Sequence, residues 1–293
     1  MSVPTEPTIG FLGLGTMGAP MAGHLASNGY NTLVWNRSPG KDSLPISKGA
    51  TLASSPKEIA ESCSIICLCL GRTEDVAEIV NRLLPSCKPG AIIVDHSTIA
   101  PAGAREIAEV CKSHGVEFID APITGGSMGA QNGTLTIFCG GTTDAFNKVQ
   151  SVLESYGRRI AHVGPSGQGQ MMKMANQIAV GAALLGLSES LAFAHKAGLD
   201  LVTTRELLST GAAGSWAFDN YGPKILSGDH TPGFSVKNQR KDFGYCQESA
   251  AELGITIPGT DLVDRLLSEL TDAGREEEAT TALYDVMIGE VDS

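Results

Sequence analysis

The sequence has few basic residues for its length. Its 293 residues include 21 Lys and Arg against 32 Asp and Glu, which gives a formal net charge of -11 at pH 7. A protein that binds nucleic acid or an anionic membrane surface needs a basic face. The composition therefore argues against both partner classes and favours a small-molecule substrate, for which a basic pocket inside an acidic protein is sufficient.

The sequence also lacks a long hydrophobic run. The longest apolar stretch covers residues 178–187 and is followed by Ser188 and Glu189, whereas a membrane-spanning helix needs about 20 apolar residues. The first seven residues have neither a basic flank nor the apolar segment of a secretory signal. These features predict a soluble, cytoplasmic protein.

No cysteine spacing in the sequence fits a zinc template. The seven cysteines are an odd number and are dispersed along the chain. Cys67 and Cys69 lie in an apolar run that resembles a buried strand, and no His pair lies near them. We expect reduced, buried cysteines and no metal.

The first half of the chain alternates short β-branched runs with helical stretches. Strands are predicted at residues 8–12, 31–35, 64–70, 91–95, 116–120, 134–139 and 159–163. Helices are predicted between them at residues 17–27, 56–61, 74–84, 104–113 and 144–155. This rhythm is typical of an α/β fold with a parallel, doubly wound sheet of the Rossmann type.

The pattern changes after residue 163. Residues 168–197 contain no proline and few charges, which predicts one long helix buried on most sides. Further helices are predicted at residues 201–209, 217–226, 241–253 and 261–273. We therefore expect an α/β domain of the Rossmann type at residues 1–163 and an all-helical domain at residues 164–293, joined by the long helix.

A glycine-rich turn follows the first predicted strand and opens a helix. It reads Gly13-Leu14-Gly15-Thr16-Met17-Gly18. In this strand–turn–helix context the G-x-G-x-x-G pattern predicts a dinucleotide-binding turn. The first glycine makes the tight turn, the second lets the backbone approach the pyrophosphate, and the third allows close helix–strand packing.

The residues after the second strand bear on the choice of cofactor. An Asp or Glu there binds the ribose 2′-hydroxyl of NAD, but this chain has Asn36-Arg37-Ser38. Asn36 does not repel a phosphate, and Arg37 and Ser38 can donate hydrogen bonds to it. The segment favours NADP. NAD remains possible, since Arg37 can equally be a solvated loop residue or stack on the adenine.

Three further groups of residues have candidate roles. Thr98 follows the fourth long strand, at the edge where open α/β sheets bind ligands; it can bind the nicotinamide ribose, or Ser97 and Thr98 can cap a helix. Lys173 is an isolated cation among methionines on the long helix, and Asn176 shares its face at i+3. Thr124, Gly125 and Gly126 offer a hydroxyl and unhindered backbone N–H groups for a carboxylate.

Three further segments, together with the Gly13 turn, carry a family resemblance. They are residues 120–135, which begin Asp120-Ala121-Pro122, residues 169–176, and residues 241–243. With them the chain resembles the β-hydroxyacid dehydrogenase family, which includes 3-hydroxyisobutyrate dehydrogenase and the tartronate and succinic semialdehyde reductases. The match runs from about residue 8 to the C-terminus. Thr124 stands where many members have serine.

The resemblance implies a hydride transfer between NADP(H) and a small 3-hydroxy acid or aldehyde acid, with NADP bound by residues 1–163 and a substrate and dimerisation role for residues 164–293. The long helix, apolar on most faces, favours a homodimer or homotetramer. It implies Lys173 as the acid–base residue and a substrate site formed by Thr124, Gly125, Gly126 and Asn176. The implied cofactor site is formed by Gly13, Leu14, Gly15, Thr16, Met17, Gly18, Asn36, Arg37, Ser38, Leu70, Thr98 and Lys241.

Two other functions fit the same fold. One is an imine-reductase-like enzyme of the same superfamily, although those enzymes usually lack a lysine at the position of Lys173. The other is a non-catalytic NADP-binding scaffold, which has no reason to keep an isolated lysine together with the Thr124 segment. We interpret His195 as structural, because it lies some six turns from Lys173. Trp216 can line the substrate pocket or pack in the core.

Overall fold

A computed structural model describes residues 7–291 of the chain. Residues 1–6 and 292–293, the outer ends of the two predicted domains, lie outside the described residues. Residues 1–6 are also most of the N-terminal segment in which no secretory signal was found. The chain forms two compact units, Met1–Lys173 and Met174–Ser293, called here the N-terminal and C-terminal units. The division between the units falls within the long helix.

The N-terminal unit is built on a nine-stranded sheet. The strands are β1 (Ile9–Leu12), β2 (Thr32–Trp35), β3 (Thr51–Leu52), β4 (Ile65–Leu68), β5 (Ile92–Asp95), β6 (Glu117–Asp120), β7 (Ile123–Thr124), β8 (Leu135–Gly140) and β9 (Gly157–Gly164). Their order in the sheet is β3-β2-β1-β4-β5-β6-β8-β7, and β9 pairs with β8. The order reverses between β1 and β4, which is where doubly wound sheets bind dinucleotides.

The six strands from β3 to β6 in this order are parallel to their neighbours. This confirms the predicted Rossmann-type sheet. At the other edge β8 runs antiparallel to β6 and β7, so the sheet is mixed there. Gly133, with φ of 64°, ends the short helix after β7 and turns the chain back along that strand.

Helices cover both faces of the sheet. They are α1 (Gly18–Ser27), α2 (Ser43–Ser47), α3 (Pro56–Ser62), α4 (Thr73–Leu83), α5 (Pro101–Ser113), α6 (Gly126–Asn132) and α7 (Thr143–Leu153), with a 3-10 turn at Leu84–Ser86. Because side chains alternate along a strand, Ile9 and Phe11 of β1 pack in one core with α1 and α7. Leu12 packs in a second core with α3, α4 and α5.

The C-terminal unit is helical over its described part, apart from an isolated bridge between Ser235 and Ala279. Its helices are α8 (Gln168–Lys196, whose first turns belong to the N-terminal unit), α9 (Leu201–Thr210), α10 (Trp216–Asn220), α11 (Gly222–Ser227), α12 (Val236–Leu253), α13 (Pro258–Asp272) and α14 (Leu283–Ile288), with a 3-10 turn at Thr280–Ala282. The predicted all-helical region is therefore confirmed.

Two helix predictions in this unit are wrong in detail. Residues 217–226 do not form one helix but parts of α10 and α11, because Pro223 lies at the start of α11 and begins a new helix. The helix predicted to begin at residue 241 begins at Val236, because the Ser235 hydroxyl accepts a hydrogen bond from the Asn238 N–H and caps it.

Helix α8 has the predicted length but is less buried than predicted. Met174 and Leu184 lie in the core of the C-terminal unit, whereas Phe193 is 76% exposed. Apolar composition marks a core helix only where a neighbour covers it. Over the described residues, α8 is the helix long and apolar enough to cross a membrane by length and composition. Its packed face makes it the core helix of a soluble-type fold.

Candidate active site

The glycine-rich turn joins β1 to α1 at the point where the strand order reverses. Gly13 has φ of 95°, and a Cβ atom there would lie 2.8 Å from the Leu70 side chain. Gly18 packs against the carbonyl of Gly13 with no room for a Cβ atom. Gly15 is different, because a Cβ atom there would meet nothing within 4 Å.

The open space at Gly15 fits a dinucleotide. Packing within the protein explains the glycines at positions 13 and 18 but not the one at position 15. Close approach of a cofactor pyrophosphate to the backbone does explain it. Among the described residues, no side chain caps the N-terminus of α1. The Ala19 and Met21 N–H groups donate to the Gly15 and Met17 carbonyls, and Pro20 has none. What this helix end offers to phosphate oxygens is therefore the positive end of its dipole.

Asn36 ties the glycine-rich turn to the end of β2. Its amide oxygen accepts a hydrogen bond from the Leu14 N–H at 2.8 Å, and its amide nitrogen donates to the Ser38 carbonyl at 2.7 Å. Arg37 and Ser38 are exposed beside it. The Arg37 guanidinium, 77% exposed, lies 3.5 Å from a carboxylate oxygen of Asp75 at the start of α4.

The loop after β5 is hydrogen-bonded to the loop after β4. The Leu70 N–H donates to the Ser97 hydroxyl at 2.8 Å, and the Ser97 N–H donates to the Asp95 carboxylate at 3.0 Å. Thr98 is half-buried in this loop. The alternative that Ser97 or Thr98 caps a helix is wrong, because α5 begins after Ala100, whose N–H donates to the Thr73 hydroxyl at 3.1 Å.

Lys173 lies beside the Thr124 segment. The lysine is 7% exposed, and its Nζ donates to the Ile123 carbonyl at 2.9 Å. Thr124 follows Ile123 and ends β7, and Gly125 and Gly126 have φ of 128° and 63°. These positive φ values require glycine. The structure therefore brings together a buried ammonium group, a hydroxyl and two glycine N–H groups.

Asp120 is a buried carboxylate for which the sequence pattern predicted no role. Its oxygens accept hydrogen bonds from the Gly167 N–H at 2.7 Å and the Gln170 N–H at 2.9 Å, both at the start of α8. Burial raises the pKa of Asp120 to about 7, while these backbone N–H donors lower it. The available signal was an ionisable residue directly after the apolar run of β6, at the ligand-binding edge of the sheet.

His96 is a second buried polar residue without an assigned role. Its Nδ1–H donates to the Ala121 carbonyl at 2.8 Å, and its Nε2 accepts from the Tyr156 hydroxyl at 2.9 Å. Burial lowers the pKa of His96 to about 4, so the ring is neutral at pH 7. It links the segment that leads to Thr124 with the core of the sheet.

In the C-terminal unit, hydrogen bonds connect Asn176 to Lys241. The Asn176 amide donates to the Gln177 side chain at 2.8 Å, and the Gln177 amide donates to the Asp242 carboxylate at 2.8 Å. The other oxygen of Asp242 lies 3.1 Å from Lys241 Nζ. Lys241 also lies over the Tyr245 ring. Gln177 and Asp242, both buried, are thus part of the setting of two predicted site residues.

Two other residues weighed in the sequence lie elsewhere. His195 is exposed in the last turn of α8. Trp216 is 48% exposed and packs edge-on against Tyr221 with ring centroids 5.0 Å apart. Core packing of Trp216 is therefore the wrong alternative, since nearly half of its surface is open to solvent.

Two known protein families match this chain, one over each part of it. Residues 8–164 match the family described as the NAD binding domain of 6-phosphogluconate dehydrogenase. Residues 167–287 match the family described as NAD-binding of NADP-dependent 3-hydroxyisobutyrate dehydrogenase. The first match alone covers more than half of the chain.

The relatives in sequence are oxidoreductases of similar length. The uncharacterized oxidoreductase YkwC of Bacillus subtilis is 38% identical over 97% of this chain and 99% of its own length. A probable 3-hydroxyisobutyrate dehydrogenase-like protein of Arabidopsis thaliana is 38% identical over 96% of this chain and 85% of its own length. The 2-hydroxy-3-oxopropionate reductase of Escherichia coli is 34% identical over 95% of this chain and 96% of its own length.

Solved structures share the fold over nearly the whole chain. The 3-hydroxyisobutyrate dehydrogenase of Mycobacterium tuberculosis with L-serine has a TM-score of 0.87 at 27% identity, over 97% of this chain and 99% of its own. Psf3 in complex with NADP+ and 2-OPP has a TM-score of 0.90 at 25% identity, over 96% of this chain and 100% of its own. The glycine-rich turn, the two-part match and these relatives agree, and the chain belongs to the family of NAD(P)-dependent 3-hydroxyacid dehydrogenases that includes 3-hydroxyisobutyrate dehydrogenase.

Proposed function

We propose that this protein transfers a hydride between NADP(H) and a small 3-hydroxy acid or its aldehyde acid, with Lys173 as the acid–base residue. The observation that carries the proposal is the buried Lys173, whose Nζ donates to the carbonyl next to Thr124. A positioned ammonium group can bind the substrate oxygen and exchange a proton with it when the carbon–hydrogen bond breaks or forms. A group of this kind typically contributes about 10²–10⁴-fold to the rate.

Thr124, Gly125 and Gly126 bind the substrate carboxylate in this proposal. The two glycines supply backbone N–H groups that no side chain screens, and the threonine adds a hydroxyl. Asn176 lies one helical turn beyond Lys173 on α8 and orients the substrate oxygen. The amide of Gln177 accepts a hydrogen bond from Asn176 and limits its rotation.

The glycine-rich turn binds the pyrophosphate of the cofactor, and Leu70, Thr98 and Lys241 bind its nicotinamide half. The cofactor supplies or accepts the hydride when bound. The open space at Gly15 and the uncapped N-terminus of α1 support this assignment. NADP is the proposed partner rather than NAD, because Arg37 and Ser38 are exposed at the end of β2 and Asn36 carries no charge.

The proposed substrates are 3-hydroxyisobutyrate, tartronate semialdehyde and succinic semialdehyde. They share a carboxylate and a hydroxyl or aldehyde group on a short carbon chain. Support comes from relatives described as a 3-hydroxyisobutyrate dehydrogenase-like protein and a 2-hydroxy-3-oxopropionate reductase. The enzyme is proposed to be a cytoplasmic homodimer or homotetramer. Its proposed cofactor and substrate domains are residues 1–163 and 164–293, supported by family matches that end at residue 164 and begin at residue 167.

An activity panel tests the reaction class. The purified protein is assayed with NADPH and NADH against small aldehyde acids and against aldehydes of equal length without a carboxylate. We expect turnover only with the aldehyde acids, and higher catalytic efficiency with NADPH. Equal efficiency with aldehydes that lack the carboxylate contradicts the role of Thr124, Gly125 and Gly126.

Lys173 is tested by two substitutions. Lys173→Ala is expected to lose about 10²–10⁴-fold in kcat and still bind the cofactor. Lys173→Arg keeps the charge but does not release a proton at working pH, so a large loss in both variants supports proton transfer by the lysine. Substantial activity in Lys173→Arg indicates an electrostatic role instead. Turnover of Lys173→Ala close to wild type contradicts both.

A further inference from the structure

The carboxylate of Asp120 binds the first turn of α8. It is completely buried at the end of β6, and it accepts the Gly167 and Gln170 N–H groups through separate oxygens, at 2.7 and 2.9 Å. The first N–H groups of a helix have no partner within the helix. A negative charge there is further favoured by the helix dipole. Asp120 therefore fixes the position of this turn along the helix axis and its rotation about that axis.

Two glycines allow this close approach. A Cβ atom on Gly140, at the end of β8, would lie 2.6 Å from one Asp120 oxygen and 2.7 Å from the Gly169 nitrogen. A Cβ atom on Gly169, within the first turn of α8, would lie 2.8 Å from the other Asp120 oxygen. Real Cβ atoms do not approach backbone atoms so closely. The start of α8 is thus pressed against the ends of β6 and β8.

Gln170 holds the same turn to the loop after β5. Its side-chain amide donates to the Ser97 carbonyl at 2.8 Å, and its side-chain oxygen accepts from the Ile99 N–H at 3.2 Å. Gln170 is completely buried, so neither bond has to compete with water. The turn is therefore fixed on two sides, by Asp120 from β6 and by Gln170 to the Ser97–Ile99 loop.

Lys173 lies one turn after Gln170 on the same helix. Its Nζ reaches back to the Ile123 carbonyl at 2.9 Å, and Ile123 is only three residues beyond Asp120. The segment from Asp120 to Ile123 thus binds α8 at its first N–H groups and again at Lys173. Any shift or rotation of the first turn must move Nζ relative to Thr124.

We propose that Asp120 and Gln170 are positioning residues that set the place of the Lys173 ammonium group beside Thr124. Neither touches the reacting atoms, and both act through the backbone of α8. The inference rests on the proposed role of Lys173. A displacement of about 1 Å in a catalytic group can cost about 10²-fold in rate, so the fixed turn has a direct consequence for turnover.

The test compares Asp120→Asn and Gln170→Leu with the wild type. Asparagine keeps the shape but sets an NH₂ group against a backbone N–H, and leucine removes both bonds of the glutamine. We expect kcat per cofactor-binding site to fall about 10- to 100-fold in each variant. The number of cofactor sites and the dissociation constant of NADPH in Asp120→Asn are expected to stay at the wild-type values. Because kcat is expressed per bound cofactor, unfolded protein in a preparation does not lower the measured value.

Ser55→Ala is the matched control. The Ser55 hydroxyl caps α3 in the same unit by accepting the Glu58 N–H, so this variant loses a helix cap without touching α8. Its kcat per cofactor site is expected to equal that of the wild type. Should one variant fail to bind cofactor at all, the other still decides the matter, since each breaks a different contact of the turn.

The outcomes separate this inference from the proposed function. Wild-type kcat per cofactor site in Asp120→Asn or Gln170→Leu, with Lys173→Ala inactive, overturns the positioning role alone. An equal fall of kcat in Ser55→Ala also overturns it, because the effect then follows general helix stability. Wild-type turnover of Lys173→Ala overturns the proposed function first, and the positioning role with it.

Discussion

At the residue scale, the choice of cofactor depends on Arg37 and on the carboxylate that faces it. Asp75 lies 3.5 Å from the Arg37 guanidinium and competes with a 2′-phosphate for it. Arg37→Ala is expected to weaken NADPH binding about 10- to 100-fold with little effect on NADH. Asp75→Asn is expected to tighten NADPH binding a few-fold, since an exposed ion pair is worth about 0.2–1 kcal/mol.

Isothermal titration of both cofactors measures these changes without any turnover. The double variant Arg37→Ala/Asp75→Asn serves as the control, because Asp75 should have no effect on NADPH once the guanidinium is gone. A loss of NADH affinity in Arg37→Ala as large as the loss of NADPH affinity contradicts a role of Arg37 in binding the 2′-phosphate.

His96 makes stability depend on pH. Its burial lowers the pKa to about 4, whereas an unfolded histidine titrates near about 6.5. Between these values the unfolded chain binds a proton that the folded chain does not. The stabilisation is therefore fully present above about pH 6.5 and is lost as the pH falls towards 4, by about 3 kcal/mol in total.

His96→Asn tests this dependence. Asparagine can still donate to the Ala121 carbonyl but does not titrate, so the unfolding free energy of the variant should fall less between pH 7 and pH 5 than that of the wild type. Urea unfolding at several pH values provides the measurement. The exposed His195→Asn variant is the control and should follow the wild-type curve. Parallel curves for His96→Asn and the wild type would rule out the buried imidazole as the cause.

At the scale of elements, α8 and α12 pack at a glycine. A Cβ atom on Gly181 of α8 would lie 2.6 Å from the ring of Phe243 on α12, and Phe243 is completely buried. Gly181→Ala is expected to lower the free energy of unfolding by about 1–3 kcal/mol, because overpacking in a fixed core outweighs the gain of about 1 kcal/mol in helix propensity.

Gly244→Ala on α12 is the matched control for this contact. A Cβ atom there meets nothing within 4 Å, so only the propensity gain remains and the variant should be more stable by up to about 1 kcal/mol. Chemical denaturation of the two variants measures both signs. A stabilised Gly181→Ala protein shows that the Phe243 ring can move aside.

At the scale of the whole molecule, exposed apolar side chains lie around the end of α8 and along α9. Phe193, Leu199, Val202 and Leu207 are all exposed. Large apolar surfaces on a soluble protein usually mark a contact with another chain. We expect this surface to contact a second copy, so light scattering should give a mass at least twice that of the monomer. Phe193→Glu should shift the population towards the monomer.

Leu52→Glu is the control for this prediction. Leu52 is also an exposed leucine, but it lies on the short edge strand β3, and its substitution should leave the mass unchanged. A wild-type protein with the mass of a monomer at micromolar concentration contradicts the expected homodimer or homotetramer.

Much of the architecture could be predicted from the sequence, because it depends on short-range patterns. Apolar runs such as residues 9–12 and 65–68 form strands wherever both faces are covered. The glycine-rich turn is recognised from six consecutive residues, and its position after a strand predicts a dinucleotide cofactor. The change after residue 163 from alternating strands to uninterrupted helix likewise predicted the helical region.

The tertiary structure decided the features that depend on residues distant in sequence. The amide of Asn36 accepts a hydrogen bond from Leu14, 22 residues away, and Lys173 reaches Ile123 across 50 residues. The antiparallel direction of β8 was not predicted, and the break between α10 and α11 differs from the predicted single helix. Periodicity fixes which face of an element is apolar, but not which neighbour covers it, and so it could not predict the exposure of Phe193.

The roles of Asp120 and Gln170 show the same limit. In the sequence Asp120 is an acid that directly follows an apolar run, and Gln170 is a glutamine in a predicted helix. Neither pattern shows which groups the side chain contacts. Their importance comes from burial, because a carboxylate removed from water must find donors, and Asp120 finds them in the N–H groups at the start of α8. The sequence alone determined the fold class and the cofactor turn. Only the tertiary structure decided which buried polar groups hold the candidate catalytic lysine, since that depends on which strand ends and helix ends meet.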